Sequence, residues 1–224
     1  MLQVRRSRRG CGVLPRAEAG AVHRALRYFE RDGYAVVPAL LDAPAVAAAR
    51  DHLATLPATG ALVTAPLDTD PFFADLVARP ALVGVATEVL GGAVEAFGCT
   101  YVVKAAGTGV ATRWHQDGHP WAARGIDQAV SIGIALDDAG PANGGLLVIP
   151  GSHRLAAQPL RPATEEPNTF GVEIDPALVD ESLAVPVVLA PGDASVHHPN
   201  LIHGAGPNRS DRPRTTLVVR YRRG

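Results

Sequence analysis

The chain has few of the features that mark secreted, membrane or nucleic-acid-binding proteins. Its 224 residues include only two cysteines, Cys11 and Cys99, which form neither a CxxC motif nor a disulfide framework, so a reducing compartment is expected. No apolar run reaches the length of about 18 residues that a membrane-spanning helix needs. The formal net charge is −1, which provides no overall positive field for nucleic acid or an anionic membrane. These absences predict a cytoplasmic protein whose partner is a small molecule, and they leave the oligomeric state open.

The N-terminus is the one strongly basic segment. Its first ten residues, MLQVRRSRRG, include four arginines, but no apolar segment of the length found in export signals follows them. We therefore expect residues 1–15 to form a disordered basic tail. With 47% hydrophobic residues, the chain is long enough to bury one core, which predicts a single domain over residues 16–224.

Residues 16–92 have the pattern of a helical region. Apolar residues recur at helical spacing, and Asp42 and Asp70 each stand where an N-cap is needed ahead of an apolar segment. Pro80 falls inside the third helical segment and predicts a break there. Three helices, the last of them interrupted, are therefore expected before the strands begin.

The region 93–222 has the pattern of a β-sheet core, in which short β-rich segments alternate with clusters of Gly, Pro, Asn and Asp. Helices followed by strands, without regular βαβ alternation, favour a mainly β protein with flanking helices, built as an antiparallel double sheet or barrel. The proline-rich, acidic stretch 156–184 interrupts the series and is predicted to be a lid. The predicted strands span 93–104, 128–136, 145–149, 185–189, 194–203 and 214–222.

The segment WHQDGHPW, residues 114–121, concentrates polar and aromatic side chains that suit a metal site. In an extended segment, residues two apart point to the same side, so His115 and Asp117 can face one ion. Alone, this pair is more often a hydrogen-bonded loop than a metal site, and a third ligand has to come from elsewhere. The candidates are His119, His153, His197, His198 and His203.

His203 is the strongest third ligand because of the segment that follows it. A loop rich in Gly, Pro, Asn and Asp separates it from Arg214, which opens the last predicted strand, so a hairpin would bring the two strands together. Two histidines and one carboxylate on one face of an ion are the ligand set of non-haem Fe(II) oxygenases. An arginine nearby can grip the carboxylate of a co-substrate. His197 shares strand parity with His203, so a cupin-like site with three histidines remains open.

Four motifs follow one another along the chain: HQD at 115–117, NGGLLVIPGSH at 143–153, APGDASVHHPNLIHGAGPN at 190–208 and Arg214. In this order they resemble the phytanoyl-CoA dioxygenase family of Fe(II)- and 2-oxoglutarate-dependent oxygenases. The resemblance covers about residues 30–222 and implies a double-stranded β-helix, or jelly roll, of the cupin-like type. His115, Asp117 and His203 then match the iron ligands. Arg214 matches the residue that binds the distal carboxylate of 2-oxoglutarate.

Two further residues are candidates for the co-substrate pocket. Many members of the family carry Ser or Thr two residues after the second histidine, where this chain has Ala205. Ser131 or Lys104 is expected to supply the missing hydrogen bond, although a lysine at a strand end is usually solvated. Along AVSIGIALDD, small residues alternate with bulky ones, so one face can pack on helices while the face with Ser131 and Gly133 leaves room for a ligand.

The substrate pocket is expected next to the same motif. Trp121 matches an aromatic residue that lines the pocket in some relatives, and Gly133 and His119 are expected nearby. For His119, which precedes Pro120, a solvated loop position is the alternative.

The resemblance implies an enzyme that uses Fe(II), 2-oxoglutarate and O2 to hydroxylate an unactivated C–H bond, releasing succinate and CO2. The substrate would be a small metabolite, such as a biosynthetic intermediate or an amino-acid derivative. Related halogenases replace the carboxylate ligand by Gly or Ala, so Asp117 argues against halogenation. Desaturation or cyclisation by the same ligand set stays open, as do a jelly-roll binding module without catalysis and a zinc or nickel hydrolase.

Overall fold

The computed structural model describes residues 19–57, 60–64, 67–163 and 167–224. The basic tail predicted for residues 1–15 lies outside this range. The helices are α1 (Ala19–Asp32), α2 (Ala43–Thr55), α3 (Pro71–Val77), α4 (Pro80–Leu90) and α5 (Gly118–Ala122). The strands are β1 (Tyr34–Val37), β2 (Leu62–Val63), β3 (Val94–Lys104), β4 (Thr112–His115), β5 (Ala129–Ala135), β6 (Leu146–Val148), β7 (Leu160–Pro162), β8 (Val172–Ile174), β9 (Val185–Pro186), β10 (Ala194–His197), β11 (His203–Ala205) and β12 (Arg214–Arg223).

Two of the helices before β3, α2 and α3, begin at the N-caps that the sequence marks. The carboxylate of Asp42 accepts a hydrogen bond from Ala45 N at 2.9 Å, and that of Asp70 accepts one from Phe73 N at 3.0 Å. Each N-cap of this type contributes about 1 kcal/mol. Pro80 does not kink a single helix but opens α4, because a proline at the first helical position needs no N–H partner.

Two antiparallel sheets build the barrel. The larger sheet has the order β1-β10-β5-β12-β3-β2, and the smaller has the order β4-β11-β6-β9. The strand predicted at 194–203 is wrong as a single element: its two ends are β10 in the larger sheet and β11 in the smaller one. Pro199 lies in the crossing, and proline cannot donate a ladder hydrogen bond. The crossing places His197 and His203 on opposite walls of the barrel.

The larger sheet packs its outward face on the helices. Ile132 and Ile134 of β5 and Leu217 and Val219 of β12 are fully buried there, in one cluster with residues of α2, α3 and α4. Each such side chain stabilises the fold by about 1.5–3 kcal/mol. The alternation predicted for AVSIGIALDD is therefore observed, with bulky residues facing the helices and small residues facing the barrel interior.

The predicted insertion at 156–184 folds mainly as a hairpin of β7 and β8, set against β4. The carboxylate of Glu173 is buried and pairs with Arg113 at 2.9 Å and Arg161 at 3.2 Å. Beyond the hairpin strands, Thr169 N donates to Ala111 O at 2.9 Å. The insertion is thus attached to the strand that carries His115. No helix in the described part of the chain combines the length and apolar character needed to cross a membrane.

Candidate metal centre

The structure brings the three predicted iron ligands together. His115 ends β4 and His203 begins β11, and the register of these antiparallel strands sets the two residues opposite each other. Asp117 follows two residues after His115, where α5 begins. One ligand atom from each of the three residues lies within 4.8 Å of the other two. A single ion can therefore contact all three.

Both histidines direct Nε2 towards the common point. Nδ1 of His115 donates to the carbonyl oxygen of Arg113 at 2.8 Å, and Nδ1 of His203 donates to that of Leu201 at 2.9 Å. Because a carbonyl oxygen only accepts, Nδ1 carries the proton and Nε2 keeps a free lone pair for a metal. The two Nε2 atoms lie 3.6 and 3.9 Å from Oδ1 of Asp117.

The protonation states also suit a cation. Burial alone would raise the pKa of the Asp117 carboxyl, but its contacts with His115 and His197, followed by the influence of His203 and the charge of Arg220, hold that pKa well below its ordinary value. Burial, followed by the influence of His115, holds the pKa of His203 well below its ordinary value. Near neutral pH, Asp117 is therefore ionised and His203 is neutral, as metal binding requires.

The second oxygen of Asp117 is held by the larger sheet. Ser131 Oγ donates to Oδ2 at 2.8 Å, and Nε2 of His197 lies 3.5 Å from the same oxygen. With Oδ2 occupied, Oδ1 is left to face the histidines. Ser131 thus orients a metal ligand, which the sequence did not indicate, and its contact with 2-oxoglutarate stays a prediction.

His197 lies beside the metal centre, but its nitrogen atoms fall outside the group of mutually close ligand atoms. Its ring centroid is 4.9 Å from that of His203, and its Nδ1 is buried without a hydrogen-bond partner. The parity argument for a site with three histidines fails because the two residues are on different strands. His197 instead reaches Asp117 from the opposite wall.

Arg214 and Lys104 form a positively charged corner, paired across β12 and β3. They are 4% and 1% exposed, so the alternative of a solvated Lys104 is wrong. Arg214 donates through Nη1 to Thr216 Oγ1 at 2.8 Å and through Nη2 to the carbonyl of Gly144, while its Nε is buried without a partner. Lys104 Nζ donates to the carbonyls of Val110 and Gly206 at 2.5 and 2.7 Å.

These two cations have only neutral acceptors among the described residues. Burial, reinforced by the charge of Arg214, lowers the pKa of Lys104 to about 7. Burial lowers the pKa of Arg214 to about 10, against the opposing influence of Asp137, which forms no ion pair with it. A buried charge without a counter-ion is destabilising, so the corner is suited to an anionic ligand. The orphaned Nε of Arg214 and its planar fork fit one carboxylate of 2-oxoglutarate. The ligand set of His115, Asp117 and His203 likewise fits Fe(II).

The residues predicted for the substrate pocket are more dispersed. Trp121 in α5 is buried, with its ring edge-on to that of Phe97 at 5.1 Å. Gly133 faces the barrel interior, but a Cβ there would lie 2.9 Å from Ser195 Oγ. The glycine therefore makes room for Ser195 on the neighbouring strand β10. The side chain of His119 lies outside the described part of the structure. Substrate contacts at Trp121, Gly133 and His119 stay predictions.

Phe170 is a site residue that the sequence did not indicate. Its ring lies 4.9 Å from that of His115 in an edge-on arrangement, and 40% of the residue is exposed. The contact depends on the attachment of the neighbouring Thr169 to the edge of β4, where the two threonine hydroxyls of Thr112 and Thr169 are 2.9 Å apart. Because this attachment joins distant segments, no local sequence pattern could have revealed it.

Comparison with protein families identifies the chain. The family described as "Phytanoyl-CoA dioxygenase (PhyH)" matches residues 57–216, which include all three candidate ligands and Arg214. The chain belongs to the phytanoyl-CoA dioxygenase family. Members of this family are Fe(II)- and 2-oxoglutarate-dependent oxygenases, so the enzyme class and cofactors predicted from the motifs are confirmed at the level of the family.

Individual relatives agree with this assignment. The L-proline trans-4-hydroxylase of Streptomyces griseoviridis is 34% identical over 173 residues, which cover 70% of this chain and 65% of that enzyme. The ectoine dioxygenase of Nocardia farcinica is 30% identical over 243 residues, covering 89% and 78%. The crystal structure of EvdO2 from Micromonospora carbonacea var. aurantiaca is 26% identical, with a TM-score of 0.73 and coverage of 93% and 92%. The predicted jelly-roll fold is confirmed.

Proposed function

We propose that this family member hydroxylates an unactivated C–H bond of a small metabolite, using Fe(II), 2-oxoglutarate and O2. One observation carries the proposal: three ligand atoms from His115, Asp117 and His203 within 4.8 Å of one another, in a barrel that also buries Arg214 without a carboxylate partner among the described residues. When bound, iron and 2-oxoglutarate supply the oxidising chemistry, in which O2 gives one oxygen atom to the substrate and one to succinate while CO2 is released.

The chain's own residues hold and orient the reactants. Arg214 binds the distal carboxylate of 2-oxoglutarate through its planar fork, and the buried charge of Lys104 adds to this attraction. Lys104 Nζ already contacts the carbonyl of Gly206, the residue after Ala205, so it supplies a donor near the position where a hydroxyl is missing. Ser131 keeps the carboxylate of Asp117 from rotating, which preserves the geometry of the ligand set.

Trp121 and the insertion at 156–184 would contact the substrate. Phe170 already covers part of His115, which supports a lid that limits the access of water to the metal. Relatives are named for L-proline, ectoine and hypophosphite, all small and free in solution, and this favours a free metabolite over a bulky CoA ester. We expect the reaction to take place in the cytoplasm.

A succinate assay tests this function. The protein is reconstituted with Fe(II) without O2, mixed with 2-oxoglutarate and a metabolite panel that includes L-proline and ectoine, and exposed to O2. Succinate that depends on both Fe(II) and O2 is expected, with a product that has gained one oxygen atom. A product that has instead lost two hydrogen atoms indicates desaturation or ring closure. Arg214→Gln should weaken 2-oxoglutarate binding about 100-fold, whereas Arg222→Gln, on the same strand but ion-paired with Glu95, should not.

Two outcomes contradict the proposal. The absence of iron-dependent succinate with every metabolite favours a jelly-roll binding module. Metal-dependent turnover without O2, with Zn(II) or Ni(II) replacing iron, indicates a hydrolase.

A further inference from the structure

A second arginine faces the barrel interior, at the end where the metal ligands lie. Arg220 of β12 pairs with Ser131 of β5, the residue that holds Asp117. Its neighbours Val219 and Tyr221 face the apolar core, so Arg220 points to the opposite side, as Arg214 does. At about 3.3 Å per residue, the two arginines are about 20 Å apart along the strand. Arg220 is therefore separate from the corner assigned to 2-oxoglutarate.

The guanidinium of Arg220 has donors to spare. Its one hydrogen bond to the described residues runs from Nη1 to Thr100 Oγ1 at 3.1 Å. Within the same part of the chain no carboxylate lies within ion-pair distance of it, and its charge acts on Asp117 only from farther away, where it helps to lower the pKa of that carboxyl. Arg222, two residues along the strand, is paired with Glu95 at 2.8 Å. Nε and Nη2 of Arg220 have no hydrogen-bond partner among the described residues. Neither atom is fully buried, so a ligand can reach these donors. A half-buried arginine with two open donors is suited to a carboxylate.

A β-bulge shapes the wall around Arg220. The register between β12 and β3 shifts after Arg220, which pairs with Gly98, whereas Tyr221 pairs with Ala96. The extra residue, Phe97, is turned away from the helix side and packs on Trp121 instead. Bulges re-aim side chains in this way and are frequent next to active sites.

The side chain of Arg220 lies beside Gly98 and Trp121. A Cβ at Gly98 would lie 3.6 Å from Cδ of Arg220, an ordinary van der Waals contact, so the arginine side chain passes directly over Gly98. The guanidinium carbon lies 5.9 Å from the centre of the Trp121 ring. A cation, two aromatic rings and the hydroxyl of Thr100 therefore form one wall near the metal centre, which we call the arginine corner: Phe97, Thr100, Trp121 and Arg220.

We propose that Arg220 binds the carboxylate of the organic substrate and that Phe97 and Trp121 contact its apolar part. The substrate is then a small carboxylic acid with an apolar ring or chain, a class that includes cyclic imino acids. This inference rests on the proposed function and narrows it. The alternative is that Arg220 only packs on Trp121 and does not contact the substrate. The experiment has to distinguish these two roles.

The test compares acids with their amides under anaerobic conditions. Protein loaded with Fe(II) and 2-oxoglutarate is titrated with L-proline, L-prolinamide, L-pipecolate and L-pipecolamide, and binding is followed by the change in the charge-transfer absorption of the loaded site. We expect at least one acid to bind about tenfold or more tightly than its amide. Arg220→Gln should abolish this preference, and Arg220→Lys should restore part of it because it keeps the charge but not the planar fork.

The controls separate this inference from the proposed function. Arg222→Gln should keep the preference for the acid. The 2-oxoglutarate affinity of Arg220→Gln should match that of the unmodified protein, and its melting temperature should be no lower. If the unmodified protein gives no charge-transfer band with Fe(II) and 2-oxoglutarate, the proposed function itself fails. If the band forms but no acid is preferred over its amide, or if nothing in the panel binds, the role of Arg220 is refuted. A preference that survives Arg220→Gln refutes it as well.

Discussion

The two faces of the larger sheet differ in composition although the same strands build both. On the outward face, β5 presents Val130, Ile132 and Ile134, all fully buried against the helices. On the inward face, the same strand presents Ser131, whose hydroxyl holds a metal ligand, and Gly133, which has no side chain. Residues that stabilise the fold and residues that serve the site therefore alternate along one strand.

β12 shows the same division with charged side chains. Leu217 and Val219 face the apolar core, whereas Arg214 and Arg220 face the barrel interior. Burying an apolar side chain stabilises the fold, but burying a cation without a counter-ion opposes it. The inward face thus lowers the stability of the ligand-free protein in exchange for binding sites. Substitutions on the two faces should have separable effects.

The largest effect is expected at the metal centre. Asp117→Ala removes the carboxylate ligand and should lower iron-dependent succinate formation at least about 1,000-fold, because several kcal/mol of metal coordination are lost. Iron content after gel filtration and the rate of succinate formation measure it. Because the folded protein holds the pKa of Asp117 well below its ordinary value, removing the ionised carboxylate should also lower the melting temperature, and turnover is therefore compared per folded molecule. A variant that keeps one iron per chain and full turnover would contradict the ligand assignment.

A substitution on the outward face of the sheet should lower stability and leave the metal centre intact. Ile132→Ala creates a cavity in the core and should lower the free energy of unfolding by about 2–5 kcal/mol. Iron affinity and turnover per folded molecule should be unchanged at a temperature where the variant is folded. Urea unfolding and an iron titration on the same sample make the comparison. Loss of iron binding without loss of stability would show that the two faces are not separable.

Ser131, the inward-facing neighbour of Ile132, should affect iron binding more than stability, and by less than Asp117 does. Ser131→Ala removes the hydrogen bond to Oδ2 of Asp117 and should weaken Fe(II) binding about 10-fold to 100-fold, as is usual for residues that orient metal ligands. Its free energy of unfolding should fall by no more than about 1.5–3 kcal/mol, the usual contribution of a hydrogen bond to a charged group. Competition with a metal-binding dye measures the affinity. An unchanged iron affinity would mean that Ser131 has no role in orienting Asp117.

The smallest effect is the pH dependence contributed by Lys104. Burial lowers its pKa to about 7 in the folded protein from an ordinary value of 10.5, so between these limits the unfolded chain binds more protons than the folded one. The stability of the ligand-free protein should therefore rise with pH across this window, by less than about 1.4 kcal/mol per unit from this group. Urea unfolding at pH 7, 8 and 9 should show a steeper rise than in Lys104→Met.

Binding of 2-oxoglutarate should have the opposite dependence. An anion beside Lys104 favours its protonated form, so the affinity should fall as pH rises above about 7, by at most about tenfold per unit. Lys104→Met should lose this dependence. Identical slopes in the two proteins would show that Lys104 does not titrate near the co-substrate.

Local patterns in the sequence predicted the features that depend only on residues close together in the chain, such as helix caps and strand alternation. The caps at Asp42 and Asp70 and the alternation along β5 follow from neighbouring residues alone. The association of His115 with His203 was accessible because four motifs occur in the order of a known family. Contacts formed between distant segments were not accessible.

Three features of the site illustrate what the sequence leaves out. The bulge at Phe97 depends on how β3 pairs with β12, and the position of Phe170 depends on the attachment of the insertion to β4. The crossing at Pro199 moves His197 to the opposite wall from His203, which overturned the parity argument. Each is a tertiary contact whose partners have no common local signal.

The location of iron tests the central claim most directly. Crystals grown without O2 in the presence of Fe(II) and 2-oxoglutarate can be measured at the iron absorption edge to locate the metal by anomalous scattering. We predict one peak per chain, within bonding distance of Nε2 of His115, Nε2 of His203 and Oδ1 of Asp117, with a carboxylate of 2-oxoglutarate on Arg214. A peak bound elsewhere, or iron held without Asp117, would contradict the account.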